Sequence, residues 1–197
     1  MVKTSKDTMK KVEEELHQLT QSPLYTYRTE NKYIPVVGSG SDKADIVFIG
    51  EAPGKNEAET GRPFCGAAGK ILDELLASVS ISCDDVYITN IIKDRPPQNR
   101  DPSPDEVETY APFLDRQIDI IQPKMIATLG RFSTEYIMRK FGLENKIGSM
   151  GEMRGRSFRT QTPYDIVHIV PLYHPAASLY NRKLRDTLFE DFKQLKL

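Results

Sequence analysis

The chain has 197 residues, 39% hydrophobic and 28% charged, with a formal net charge of -1. That length is expected to give one domain over residues 1–197, burying about 70% of the unfolded surface. No apolar run approaches the roughly 18 residues of a membrane span, and the polar N-terminus lacks signal-peptide character, so no membrane partner and an intracellular (cytoplasmic or nucleoid) location are expected.

Residues 5–20 read as an amphipathic helix, with Met9, Val12, Leu16 and Leu19 on one face. An irregular stretch follows over 21–43 and ends in the linker-like Gly38-Ser-Gly-Ser-Asp42. Residues 1–43 are therefore expected to pack as an N-terminal segment on the main body. Residues 46–49 form a buried-type strand, and 67–79 a helix with Ile71, Leu72, Leu75 and Leu76 inward. A second strand over 86–92 leads into a Pro-rich loop over 94–104. Pro104, Asp105 and Glu106 supply good N-terminal chemistry for a helix reaching residue 121. A third strand (125–129), a helix (133–140), a loop or hairpin (147–160), a fourth strand (166–172) and a closing helix (182–195) complete the chain. The alternation predicts an α/β fold: a three-layer α/β/α arrangement around a mostly parallel, four-stranded sheet.

Open α/β sheets hold ligands outside the carboxyl ends of their strands. Two loops belong there, Gly50-Glu51-Ala52-Pro53-Gly54 and His174-Pro175-Ala176. The first is no phosphate loop, because three residues separate its glycines and Asn56 follows Lys55. Phe64, between turn-forming residues, suits either the core or a stacking platform for a flat ring. Asn90 puts a polar amide inside a strand, where it serves a backbone hydrogen bond or the edge of a nucleobase. His174 ends a strand within reach of a ligand, whereas His17 and His168 read as structural.

Basic residues cluster locally. Lys93, Arg95 and Arg100 follow one strand, and Arg182, Lys183 and Arg185 follow the histidine loop. Each cluster alone suits a solvated surface; two flanking one site suit a phosphate-contacting rim. The two cysteines, Cys65 and Cys83, lack metal-ligand spacing.

Together these residues describe a pocket for a base, and the chain resembles the uracil-DNA glycosylase superfamily, most closely its type-4, iron–sulfur branch. The resemblance rests on Gly50 to Gly54 with Glu57, on Gly61-Arg-Pro-Phe-Cys-Gly-Ala-Ala-Gly69, on Asn90-Ile-Ile-Lys-Asp-Arg-Pro-Pro-Gln-Asn-Arg100, and on His174-Pro-Ala-Ala177. It runs from about residue 44 to the C-terminus. It departs from the branch at the cluster ligands, whose cysteines fall near Leu19 and Ser22 and at Asp94 and Tyr110. No iron–sulfur cluster, metal or other cofactor is therefore expected. The covalent, histidine-bearing loop of a related branch has no counterpart over 93–100.

The resemblance implies a monomeric DNA repair enzyme that flips uracil out of single- or double-stranded DNA and hydrolyses its N-glycosidic bond. It implies no lyase activity. Asn90 would read uracil against Phe64, and His174 would stabilise charge developing at O2. Glu57 would crowd out the thymine methyl, while Gly50, Ala52 and Gly54 cradle the substrate. An aspartate of the better-known branch is replaced by Ala52, so Glu51 is assigned to orient the water. Leu179 and Tyr180 would wedge into the vacated stack, with Arg95, Arg100, Arg182 and Lys183 on the DNA. The competing expectation is a non-catalytic uracil- or damaged-DNA-binding module on the same fold.

Overall fold

A run of apolar residues buried on both sides marks a central parallel strand, whereas an edge strand needs no such run. The computed structural model, which describes residues 5–179 and 181–195, shows both kinds. The chain begins with α1 (Ser5–His17), α2 (Tyr25–Glu30) and β1 (Ser39–Gly40), then β2 (Ile46–Gly50). Next come α3 (Lys55–Thr60), α4 (Ala67–Ser78), β3 (Tyr87–Asn90) and α5 (Pro104–Ile121). The chain continues through β4 (Met125–Leu129), α6 (Arg131–Lys140), α7 (Met150–Met153), β5 (Phe158–Gln161), β6 (Ile166–Leu172) and α8 (Arg182–Phe192).

The sheet has six strands in the order β1-β3-β2-β4-β6-β5. β3, β2, β4 and β6 are mutually parallel and correspond to the four expected strands. The expectation of four strands is corrected by two antiparallel edges, β1 on β3 and β5 on β6. β1 is Ser-Gly and β5 is Phe-Arg-Thr-Gln with alternating exposure. Neither carries the apolar run that betrays a strand buried on both faces.

Alternate residues of β2 feed two cores, as a two-residue period demands. Ile46 and Phe48 pack with Leu72 and Leu76 of α4 and Leu188 and Phe192 of α8. Val47 and Ile49 pack on the other face with Leu114 and Ile118 of α5 and Ile137 of α6. Val12 and Leu16 of α1 join that second core, so the N-terminal segment packs on the α5 side. Among the described residues no helix is long and apolar enough to cross a membrane.

β3 and β4 lie on opposite sides of β2. The winding therefore reverses at β2, and the crevice beyond its carboxyl end is the topological switch point, where doubly wound sheets bind their ligands. Gly50, the last residue of β2, sits at that crevice.

Candidate active site

A cleft of about 490 Å3 opens there, within the usual range for a small-molecule site. Its floor depends on Gly50, which pairs across the sheet with Asn90. A Cβ on Gly50 would stand 2.3 Å from Asn90 Oδ1 and 3.0 Å from the Phe64 ring. Glycine alone lets the amide and the ring share that corner.

Phe64 is held in the left-handed region, at φ 50°. Such a backbone costs of order 1–3 kcal/mol and persists only where its surroundings enforce it. Gly69 makes room for it: a Cβ there would lie 1.6 Å from the Phe64 carbonyl oxygen. The ring faces the cleft, 5.7 Å from the His174 ring with the planes 25° apart.

Asn90 is 2% exposed, yet its side-chain amide has no hydrogen-bond partner among the described residues. The amide opens onto the cleft that it lines, where its donor and its acceptor can meet a ligand or water. Glu57 is fixed differently. Its Oε1 accepts from the Gly66 N–H at 3.0 Å, and its other carboxylate oxygen crowds Gly54.

His174 follows β6, and its Nδ1 accepts from the Ala176 N–H at 3.2 Å. The proton of a neutral ring therefore sits on Nε2, which remains a donor. Burial lowers the His174 pKa to about 4 despite the opposing charge of Glu57. The imidazole is neutral at physiological pH. Glu51 also lines the cleft; burial raises its pKa, the Asp101 charge adds to that, and Arg131 opposes it.

Of the other expected residues, Ala52, Gly54 and Arg100 line the cleft. The Arg100 guanidinium is engaged with buried Glu106 through bonds of 2.6 and 2.9 Å. Glu106 also closes the capping box of α5 with Ser103. Arg95 bonds the cleft residue Asn99 at 2.8 Å and the Tyr33 hydroxyl at 2.7 Å. Leu179 stands 40% exposed after the 3-10 turn Pro175–Ser178. Tyr180 lies outside the described residues. Arg182 and Lys183 are exposed at the start of α8.

Lys93 corrects the reading of a basic rim, since it is 0% exposed and bonded within the core. Pro96 and Asn99 line the cleft without having been assigned a site role. They reach the cleft through loop geometry, for which their residue types give no signal.

The four positions matched to cluster cysteines do converge. Tyr110 OH donates to Asp94 Oδ2 at 2.6 Å, and with that proton committed the Ser22 hydroxyl donates to Tyr110. Arg28 donates to Asp94 Oδ2 at 2.9 Å and to the Leu19 carbonyl at 3.0 Å. An iron–sulfur cluster needs four thiolates or their equivalents. A hydroxyl, a phenol, a carboxylate and a leucine, with a guanidinium among them, do not fit one. Among the described residues no group of three or more His, Cys, Asp or Glu could hold a metal ion.

The family model of the uracil DNA glycosylase superfamily matches residues 37–195. A type-4 uracil-DNA glycosylase of Sulfurisphaera tokodaii is 47% identical over 191 residues, covering 96% of this chain and 84% of that one. One from Archaeoglobus fulgidus is 44% identical over 169 residues, covering 86% and 83%. One from Thermotoga maritima is 38% identical over 198 residues, covering 98% and 95%. With the cleft at the switch point and four motifs gathered around it, this chain belongs to the uracil-DNA glycosylase superfamily.

Proposed function

We propose that the chain removes uracil from DNA by hydrolysing the N-glycosidic bond, acting inside the cell as a monomer and leaving an abasic site without strand cleavage. The observation that carries this reading is the Asn90 amide, which bonds no other described residue and opens onto the cleft beside Phe64. A base must leave the stack to reach such a cleft. Once there, uracil lies against Phe64; Asn90 Oδ1 accepts from N3–H, and Nδ2 donates to O4. Cytosine presents the reversed pattern and leaves both groups unpaired. Glu57, fixed by Gly66, fills the space that the thymine methyl would need.

As the C1′–N1 bond breaks, its electron pair passes to the uracil and spreads onto O2. The Nε2–H of neutral His174 donates to that oxygen without first taking up a proton. Water adds hydroxyl to C1′ and its remaining proton ends on the departed base. Glu51 orients that water, with the backbone of Ala52 and Gly54 around it. Leu179 and Tyr180 occupy the gap in the stack, while Arg95, Arg100, Arg182 and Lys183 meet the phosphates. The reading uses no metal, cluster or other cofactor.

The test is uracil release from an oligonucleotide carrying a single uracil, single- or double-stranded, with chelator present. Release is expected; tight binding without release would favour the binding module instead. The pH profile adds a second check. Glu51 must be ionised to orient water, and its raised pKa places the acid limb above the ordinary carboxylate range. With a pKa of about 4, His174 adds no break in the neutral range. Glu51→Gln is expected to flatten the acid limb and lower the plateau about 10²-fold. An unchanged limb in that variant would remove Glu51 from this role.

A further inference from the structure

Lys93 is buried with no carboxylate beside it, and burial pulls its pKa well below that of an exposed lysine; what favours the ammonium is the set of acceptors around it. Its Nζ donates to Gln117 Oε1 at 2.6 Å, Thr89 Oγ1 at 2.6 Å and the Asn90 carbonyl at 2.7 Å, with the Val37 carbonyl farther away at 3.3 Å. Burying an ammonium is costly unless its protons are satisfied. Three close acceptors match the three protons of an ammonium. They do not match a neutral amine, which has two protons and would turn its lone pair on an oxygen.

The acceptors are themselves fixed. Thr89 Oγ1 donates to the Val37 carbonyl at 2.7 Å, and Gln117 Nε2 donates to that carbonyl and to the Tyr87 hydroxyl, both at 3.0 Å. The Gln117 amide is thereby oriented with its oxygen toward Lys93.

The sheet explains why the cation is there. The Ile91 N–H bonds the Gly50 carbonyl, so residue 91 faces β2 and the Asn90 carbonyl faces the other way. On that side β1 covers only Ile88 and Tyr87. The Asn90 carbonyl therefore projects beyond the end of the neighbouring strand, where a buried acceptor needs a donor. Lys93 Nζ supplies it in place of a strand. The Lys93 carbonyl in turn accepts from the Val36 N–H at 2.7 Å, closing the edge.

We infer that Lys93 is a positioning residue for uracil recognition, because its ammonium fixes the backbone of Asn90 and thereby holds the unpartnered amide against Gly50 and Phe64. Lys93 does not touch the base; it acts through Asn90. The inference rests on the role proposed for Asn90, and the test separates the two.

Uracil release and uracil-over-cytosine selectivity would be measured for wild type, Lys93→Met, Asn90→Ala and the double variant, with folding followed by denaturant titration. Lys93→Met is expected to lower release about 10²-fold, the scale of a roughly 1 Å misplacement, and to narrow the selectivity with it. In the Asn90→Ala background the same change is expected to cost less than about threefold, because there is no amide left to hold. Lys93→Gln, which keeps a donor, is expected to recover part of the loss. If Lys93→Met does not fold, the cycle is run with Lys93→Gln.

Equal losses in both backgrounds, or no loss of release on changing Lys93 alone, would overturn the inference. Wild-type release by Asn90→Ala would instead overturn the reading of Asn90 itself.

Discussion

Replacing Asn90 by alanine is expected to reduce uracil release more than any other single change in the cleft, by about 10⁴-fold. The size follows from the kind of recognition involved. A site built to hydrogen-bond a substrate discriminates against one lacking the match by roughly 10⁴ to 10⁵, because its own buried groups are left unpaired. Asn90 is 2% exposed and, among the described residues, bonds nothing else through its amide. Its role is therefore undivided.

Removing the amide also opens space beside Gly50 and Phe64, so the base would be held less firmly against the ring. His174→Ala supplies the scale. It removes one oriented donor to the developing charge, which is expected to lower release about 10²- to 10³-fold. The measurement is single-turnover uracil release for both variants beside wild type, with stability monitored separately. A loss smaller for Asn90→Ala than for His174→Ala would mean that base readout is not where this site concentrates its binding energy.

The two residues were not equally legible in the sequence. Asn90 stood out as an amide in an apolar strand, with a backbone bond and a ligand as open alternatives; in the structure it is the last residue of β3 and its amide bonds no described residue. His174 was visible as a strand-end imidazole, but its tautomer depends on the Ala176 N–H, which is backbone geometry. The central strands were legible because burial on both faces demands apolar runs. β1 and β5 were not, since an edge strand can be Ser-Gly or Arg-Thr-Gln and still pair. α2 and α3, six residues each, are too short for periodicity to identify. Lys93 read as surface because lysine almost always is. Its burial depends on where β1 stops and on the rotamer of Gln117, neither of which one sequence specifies. Phe64 was legible as an aromatic near a turn, but its left-handed backbone, which needs the room that Gly69 leaves, was not.

Asp94→Asn is expected to cost about 3–5 kcal/mol of folding stability, the usual penalty for breaking one partner out of a buried ion pair. For a chain of this size that corresponds to a fall in Tm of roughly 6–20 °C. Asparagine keeps the shape of the side chain and removes its charge. Arg28, 5% exposed, would be left as a buried cation without a counterion.

The consequence reaches beyond the pair. Arg28 bonds the Leu16 and Leu19 carbonyls as well as Asp94, so it ties the end of the first helix and the segment after it to the loop following β3. Tyr110 brings α5 to the same carboxylate, and Ser22 joins through Tyr110. Burial raises the Asp94 pKa while Tyr110 and Arg28 draw it back. Because a guanidinium keeps its proton, the carboxylate is the form that satisfies both partners.

The network thus connects the segment of Leu19 and Ser22 with the loop of Asp94 and the helix of Tyr110. It does so with bonds that need no metal supply and no redox protection. Replacing Arg28 and Asp94 together by Met and Leu is expected to cost less than Asp94→Asn alone, because no buried charge remains. Thermal melts of the three proteins, each with and without chelator, decide the matter. An Asp94→Asn loss below about 1 kcal/mol, the worth of an exposed pair, would show that the pair does not hold the segment. A wild-type Tm that falls on chelation would show that a metal does.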